Sequence, residues 1–279
     1  NMSPSIVERI RPRSNVSQGI PEKFRPPSKL LHLTEPLRAA YELGSMPFAE
    51  PWLNMQKGGD GHPIMVIPGF TAGDRSTKIL RDFLDNQGYS TSCWEQGINF
   101  GAREELFDGV VAVLHRLYDE YGCKVSIIGQ SLGGIYAREI AKRYPKLVRQ
   151  VITLGSPFND PDGHSSQVSD LYKFFNPEKA EKPEQFRKME WSTHMAPSMA
   201  CTAIFSKGDG ICHWRSCIQH GGHDKVENIE VMSSHTGMAV NPLVLFVIAD
   251  RLAQREDKWK AFHVGRYFGA SFLDGLNAH

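Results

Sequence analysis

The sequence contains no stretch that can cross a bilayer. Its longest apolar run near the C-terminus, residues 243–249, is far shorter than the roughly 20 residues that a spanning helix needs. Charge of one sign is also missing: 32 basic residues face 31 acidic ones, for a net charge of +1. That balance removes any electrostatic case for nucleic acid or for an anionic membrane surface as partner. Cysteine is scarce and odd in number, with Cys93, Cys123, Cys201, Cys212 and Cys217. A secreted disulfide framework is denser and usually even, so the expectation is reduced thiols in a cytoplasmic protein. An apolar signal segment is lacking too, since residues 1–13 are polar, basic and interrupted by proline. Asn1 before Met2 reads as a cloning remnant, with Met2 as the native start. Neither an internal repeat nor a low-complexity tract is seen. What remains, 41% apolar and 23% charged residues over 279 positions, is an ordinary globular composition. A chain of that length buries a core without disulfides or a structural metal.

Six of the 17 prolines fall within the first 36 residues (Pro4, Pro12, Pro21, Pro26, Pro27 and Pro36). Proline fixes φ and has no N–H, so residues 1–33 are expected to be an irregular arm lying on the domain or on a partner subunit. A helix is expected from Thr34, with Leu37, Ala40, Tyr41 and Leu43 on one side and a break or kink over 44–51. From Pro63 onward, short apolar segments alternate with helical patterns. Strands are expected at 64–67, 89–94, 125–129, 148–154, 201–205 and 229–232. Helices are expected after Asp74 (as a cap, with Ile79, Leu80, Phe83 and Leu84 inward), around Leu106, Val110, Val113, Leu114 and Leu117, over 132–144, and over 240–254. Short strands apolar on both faces, separated by helices, imply an α/β fold: a mostly parallel sheet of about six strands covered by helices.

The strongest chemical signal is Gly129-Gln130-Ser131-Leu132-Gly133, at the change from strand to helix. A tight glycine-flanked turn there lifts the Ser131 hydroxyl out of the carboxyl edge of the sheet. It also places the Leu132 N–H at a helix N-terminus, where it can stabilise an oxyanion. A serine hydroxyl needs a base, and the base needs an orienting acid. Candidates follow two later strands in the order that such a turn requires: Asp209 in Ser206-Lys207-Gly208-Asp209-Gly210, and His235 in Ser233-Ser234-His235-Thr236-Gly237. Rival acids are Asp160, Asp162 and Asp224. The loop after the first core strand, Pro68-Gly69-Phe70, is expected to supply the second oxyanion donor from the Phe70 N–H.

These residues resemble an α/β-hydrolase of the bacterial lipase and carboxylesterase type, in the group described as predicted acetyltransferases and hydrolases. The resemblance rests on Val66-Ile67-Pro68-Gly69-Phe70, Gly73-Asp74-Arg75-Ser76-Thr77, Gly129-Gln130-Ser131-Leu132-Gly133-Gly134 and Thr153-Leu154-Gly155-Ser156-Pro157. It continues through Gly208-Asp209-Gly210-Ile211, Trp214 and Ser234-His235-Thr236-Gly237-Met238 before Asn241-Pro242. It spans about residues 34–262. It implies that Ser131, Asp209 and His235 form the triad and that Phe70 and Leu132 form the oxyanion hole. Pro68 departs from the His-Gly pair common among lipases, which leaves a backbone donor intact. The family fixes the reaction type more firmly than the substrate.

The domain at 34–279 is expected to carry a helical cap inserted at about 157–199, where relatives have a lid. The aromatic residues and methionines there (Phe174, Phe175, Phe186, Trp191, Met195 and Met199) suit either packing of the cap or an apolar substrate pocket. A cluster at Cys212, His213, Cys217, His220, His223 and Asp224 matches no zinc spacing, so neither a metal nor any other cofactor is expected. Apolar residues of the arm and of the tail (Phe262, Tyr267, Phe268 and Phe272) suggest a homodimer contact. The expected reaction is hydrolysis of a small-molecule carboxylic ester with an apolar acyl or alcohol group. Acyl transfer or thioester cleavage is the sister chemistry on the same triad. C–C bond hydrolysis, perhydrolysis and a non-catalytic binding role are the remaining alternatives.

Overall fold

Strands that are apolar on both sides need cover on both sides, and the computed structural model shows how this chain provides it. It describes residues 10–13, 27–54, 58–101, 104–159 and 194–263. The strands are β1 (Ile10–Arg13), β2 (Pro63–Ile67), β3 (Ser90–Ser92), β4 (Val125–Gln130), β5 (Val148–Leu154), β6 (Ala200–Phe205) and β7 (Val226–Val231). The helices are α1 (Lys29–Leu33), α2 (Glu35–Leu53), α3 (Lys78–Asn86), α4 (Glu104–Tyr121), α5 (Leu132–Arg143) and α6 (Pro242–Leu252). The sheet order is β1-β7-β6-β5-β4-β2-β3. All neighbours are parallel except β1, which runs antiparallel to β7.

Successive residues of one strand serve opposite layers, as the pleat requires. Ile64 and Val66 of β2 join a core with Leu80, Leu84, Phe246 and Ile248, beneath α2, α3 and α6. Met65 and Ile67 join a second core with Val110, Leu114, Tyr136 and Ile140, beneath α4 and α5. Each Leu, Ile or Val buried here contributes roughly 1.5–3 kcal/mol relative to exposure. One ionic cluster pins the C-terminal end of α6. The fully buried Arg251 bonds Asp250, Glu227 (2.7 Å) and the Lys260 carbonyl (2.8 Å).

The chain leaves β3 on one edge and returns at β4 beside β2, then builds outward the other way through β5, β6 and β7. Strand order therefore reverses between β2 and β4. In open parallel sheets the crevice at the carboxyl ends of two such strands is where ligands bind. The loop 68–70 after β2 and the turn at Ser131 after β4 both open there.

Three local expectations need correction. The N-terminal arm is not wholly irregular, since β1 pairs with β7 through Pro12↔Ile229 and Ser28 caps α1 by accepting from the Leu31 N–H (3.3 Å). An edge strand has one side without a neighbour, so a proline there removes no ladder bond. Helix α2 continues through Gly44, Pro47 and Pro51 instead of breaking, because Met46, Ala49 and Trp52 pack on the core and Trp52 stacks on Phe246 at 4.6 Å. Its buried residues are Glu35, Glu42 and Leu53, whereas Leu37, Tyr41 and Leu43 are exposed. Asp74 starts a short 3₁₀ turn and caps nothing; its carboxylate accepts from the Trp94 N–H (3.3 Å). Most of the cap expected at about 157–199, including Phe174, Phe175, Phe186 and Trp191, lies outside the described residues, as do Tyr267, Phe268 and Phe272 of the tail. Phe262, expected at a dimer contact, is instead buried in the core edge-on to Phe246.

Candidate active site

Ser131 sits between the last residue of β4 and the first of α5 with φ 51° and ψ −121°. A positive φ on a residue with a Cβ stores roughly 1–3 kcal/mol and persists only where the surroundings enforce it. Here the Ser131 N–H donates to the Leu154 carbonyl (2.8 Å) and the Gly134 N–H donates to the Ser131 carbonyl (3.0 Å). The glycines around it are needed for space. A Cβ on Gly129 would strike the backbone of Gly133 and Gly134, one on Gly133 would lie 2.6 Å from the Pro68 carbonyl, and one on Gly134 would strike Ser156. Strand and helix thus meet at backbone distance, and the hydroxyl-bearing turn is driven up between them.

Leu132 opens α5, so its N–H is one of the four that a helix leaves without an intrahelical acceptor. Gly69 packs against the serine: a Cβ on it would lie 3.3 Å from Ser131 Cβ. The loop carrying Phe70 therefore runs beside Ser131. Asn99, which sequence reading missed, holds this loop. Its buried side chain donates to the Pro68 carbonyl (2.9 Å), its carbonyl accepts from the Thr71 N–H (2.7 Å), and its N–H donates to the Ala72 carbonyl (2.8 Å). Lacking any motif context, an asparagine in a loop gives no signal of such a role.

The loops after β6 and β7 bring Asp209 and His235 together. Asp209 Oδ2 lies 2.6 Å from His235 Nδ1, with both side chains buried. The other oxygen, Oδ1, accepts from the N–H groups of Ile211 (2.8 Å) and Cys212 (2.7 Å), so the carboxylate is held in one orientation. Burial pushes the imidazole pKa down, but the charge and hydrogen bond of Asp209, joined by the charge of Glu35, outweigh it and hold His235 above its ordinary value. Gln130, beside the serine, donates to the His235 carbonyl (3.2 Å) and ties the loop after β7 to the turn at Ser131. Gly155, at φ 54°, has its Cα against the pair, with Asp209 Oδ2 at 3.1 Å and His235 Nδ1 at 3.2 Å from the place of a Cβ. Among the described residues, Ser131 Oγ makes no hydrogen bond to the imidazole; such contacts are often long before substrate binds. Of the rival acids, Asp224 is exposed beside His223, and Asp160 and Asp162 lie outside the described residues.

Two glutamates of α2 enter the same region, and the sequence reading did not single them out. The Glu35 carboxylate accepts from the N–H groups of Gly210 (2.8 Å), His235 (3.0 Å) and Thr236 (3.0 Å). Glu42, two turns on, accepts from the Ser234 N–H (2.6 Å) and the Ser234 hydroxyl (2.8 Å). Their seven-residue spacing on a helix with otherwise apolar inward contacts is the signal that was available.

The cysteine and histidine cluster at 212–224 does not assemble as a set. Among the described residues, the group of potential ligand atoms that converges is Asp209, Cys212 and His235. In that group Asp209 bonds His235 through Oδ2 and accepts two N–H groups through Oδ1. Another Ser-His-Asp set lies at the opposite edge of the sheet. His62 bonds Asp60 through Nδ1 and Ser126 through Nε2 (2.8 Å). Ser126 is an ordinary strand residue with no exposed surface. Burial, aided by the charge of Arg149, holds the His62 pKa below its ordinary value.

No protein-family model and no curated protein sequence matches the chain. Solved structures do match. Aspergillus fumigatus lipase B superposes with a TM-score of 0.54 at 14% identity, over 72% of this chain and 54% of that one. A metagenome-derived lipolytic enzyme of the LipS and LipT pair gives 0.55 at 15% identity, over 71% and 95%. The chain has the α/β-hydrolase fold. Mature Bacillus licheniformis lipase BlEst2 shares it, with a TM-score of 0.50 and 15% identity over 70% of this chain and 93% of that one. The chain spans about half the length of the Aspergillus lipase. Among the described residues, no helix of this hydrolase fold is long and apolar enough to cross a membrane.

Proposed function

We propose that the chain is a serine hydrolase cleaving carboxylic esters through an acyl-enzyme. The observation that carries this reading is the 2.6 Å Asp209–His235 bond, tied through Gln130 to the strained Ser131. Ser131 Oγ attacks the ester carbonyl while His235 Nε2 takes its proton, and the oxyanion rests on the Phe70 and Leu132 N–H groups. Asp209 fixes the imidazole tautomer and stabilises the imidazolium. His235 then returns the proton to the leaving alcohol, and the tetrahedral intermediate collapses to acyl-Ser131. Water, deprotonated by His235, attacks the acyl carbon and frees the acid and the serine. Protein groups and water complete the cycle.

The substrate is a small ester with an apolar acyl or alcohol part. The test is hydrolysis of p-nitrophenyl esters from acetate to palmitate by wild type and Ser131→Ala, with a fluorophosphonate probe alongside. Turnover and labelling that both vanish in Ser131→Ala support the proposal. Labelling of Ser131 without turnover of any ester would move the assignment to acyl transfer. Loss of both in the wild type would overturn it.

A further inference from the structure

We propose that Glu35 is a positioning residue for this hydrolase: from the N-terminal helix, its one carboxylate joins the loop of the acid Asp209 to the loop of the base His235. The inference rests on the ester-hydrolase reading above, but its geometry stands alone. Oε1 accepts from the Gly210 N–H, next to Asp209, and from the N–H of His235 itself, while Oε2 accepts from the Thr236 N–H. Arg38 completes the bracket. It donates to Glu35 Oε1 (2.9 Å) and to the carbonyl of Gly208, on the other side of Asp209. Acid and base thus arrive on separate strands, β6 and β7, and are held in register by a third element far away in sequence.

A carboxylate is the group this site requires. Three N–H donors and a guanidinium converge on two oxygens, and a glutamine would offer one acceptor oxygen and turn an NH₂ toward a donor. There is no slack in the contact, since a Cβ on Gly210 would lie 2.9 Å from Glu35 Cγ. Burial pushes the Glu35 pKa up, and the three N–H bonds more than reverse this, so the group is held below its ordinary value and stays charged. That charge favours the imidazolium, the form of His235 that develops as Ser131 attacks. The charged and titratable groups against His235 are Asp209 and Cys212 from the acid loop and Glu35 from α2; around them, Arg38 bonds Glu35, Glu42 bonds Ser234 next to His235, and His32 of α1 contacts the Gly210 carbonyl (3.2 Å).

The test compares Glu35→Gln and Glu35→Asp with wild type by NMR titration of the His235 imidazole and by kcat and KM for p-nitrophenyl butyrate between pH 5 and 9. In Glu35→Gln, His235 should titrate at lower pH and the acid limb of kcat/KM should move down with it. Its kcat should fall about 10- to 100-fold at unchanged KM, because displacing a catalytic group by about 1 Å can cost 10²-fold. Glu35→Asp keeps the charge but is too short to reach all three donors. It should retain most of the titration shift and lose kcat, and it carries the test if Glu35→Gln fails to fold. An unchanged His235 titration in Glu35→Gln, or unchanged kcat in both variants of an active enzyme, would overturn the proposal. If wild type neither hydrolyses esters nor reacts with fluorophosphonate, the ester-hydrolase reading fails while the NMR titration still decides the Glu35–His235 coupling.

Discussion

Replacing Gly155 by alanine perturbs the Asp209–His235 pair without substituting a residue of the proposed triad. Two effects can be worked out in advance. The backbone there has φ 54°, and a Cβ in the left-handed region costs roughly 1–2 kcal/mol. The added methyl would also sit 3.1 Å from Asp209 Oδ2 and 3.2 Å from His235 Nδ1, with Met238 Sδ at 3.1 Å on the other side. Those contacts are a few tenths of an ångström too close, so the Asp209–His235 bond must shift. A change of that size at a catalytic hydrogen bond should lower kcat/KM by about 10- to 100-fold. The stability loss leaves a domain of about 5–15 kcal/mol folded, so the activity loss is not one of folding. Gly122→Ala is the control. It has the same strain at φ 64°, but no atom lies within 4 Å of its Cβ position. Ester hydrolysis and urea unfolding of both variants give the answer. Gly155→Ala should lose at least as much stability as Gly122→Ala, and only Gly155→Ala should lose activity. Equal activity in the two variants would refute the packing argument.

The other predictions follow from burial and charge. Because Asp209 and Glu35 hold His235 above its ordinary value, and only the neutral imidazole accepts the serine proton, kcat/KM should fall with decreasing pH along a limb centred above the ordinary imidazole range. A limb below that range would contradict the electrostatics. The same raised pKa contributes stability that is fully present below the unfolded-state value and lost as pH rises through the folded one, so His235→Gln should flatten this part of a urea-midpoint profile. A fluorophosphonate should label wild type and Ser126→Ala alike and leave Ser131→Ala unlabelled, as mass spectrometry of the adduct can read. Arg251→Met strands the buried Glu227 and Asp250 carboxylates and should destabilise by about 3–5 kcal/mol, measured by urea unfolding.

Legibility in the sequence followed the kind of force involved. The parallel strands and the helices α3 to α6 were visible because burial on two faces leaves apolar runs and 3.6-residue periods. The elbow was visible because Gly129, Gly133 and Gly134 are demanded by backbone contact, and a steric demand of that kind writes a residue type into the chain. Strand β1 was not, since it is held by backbone pairing with β7, which leaves no mark on side-chain pattern. The continuity of α2 through Pro47 and Pro51 was hidden because tertiary packing at Trp52 overrides local propensity. Asn99 was missed because its partners are main-chain groups of distant loops, which have no sequence signature. Glu35 left only its seven-residue spacing from Glu42 as a mark in the sequence.

The two Ser-His-Asp sets in this molecule show what a residue list leaves out. Asp60, His62 and Ser126 are bonded in series, as complete by residue type as Asp209, His235 and Ser131. Their surroundings differ in three respects. Ser126 lies within β4, paired on both sides next to a register shift at Val125/Ser126, whereas Ser131 is forced to φ 51° at a helix N-terminus. Beside His62 stands the cation Arg149, which opposes protonation, whereas beside His235 stands the anion Glu35, which favours it. Finally, His62 Nε2 is already bonded to Ser126 in a closed interior. His235 has its Nδ1 and N–H engaged while its Nε2 has no hydrogen bond among the described residues. A base must hold its proton only during the reaction, so it needs an open acceptor nitrogen and an anionic environment behind it. On that criterion the acyl chemistry proposed for this chain belongs at the carboxyl edge of the sheet and not at the amino edge. The neighbours that decide it, Glu35 and Arg149, belong to neither set.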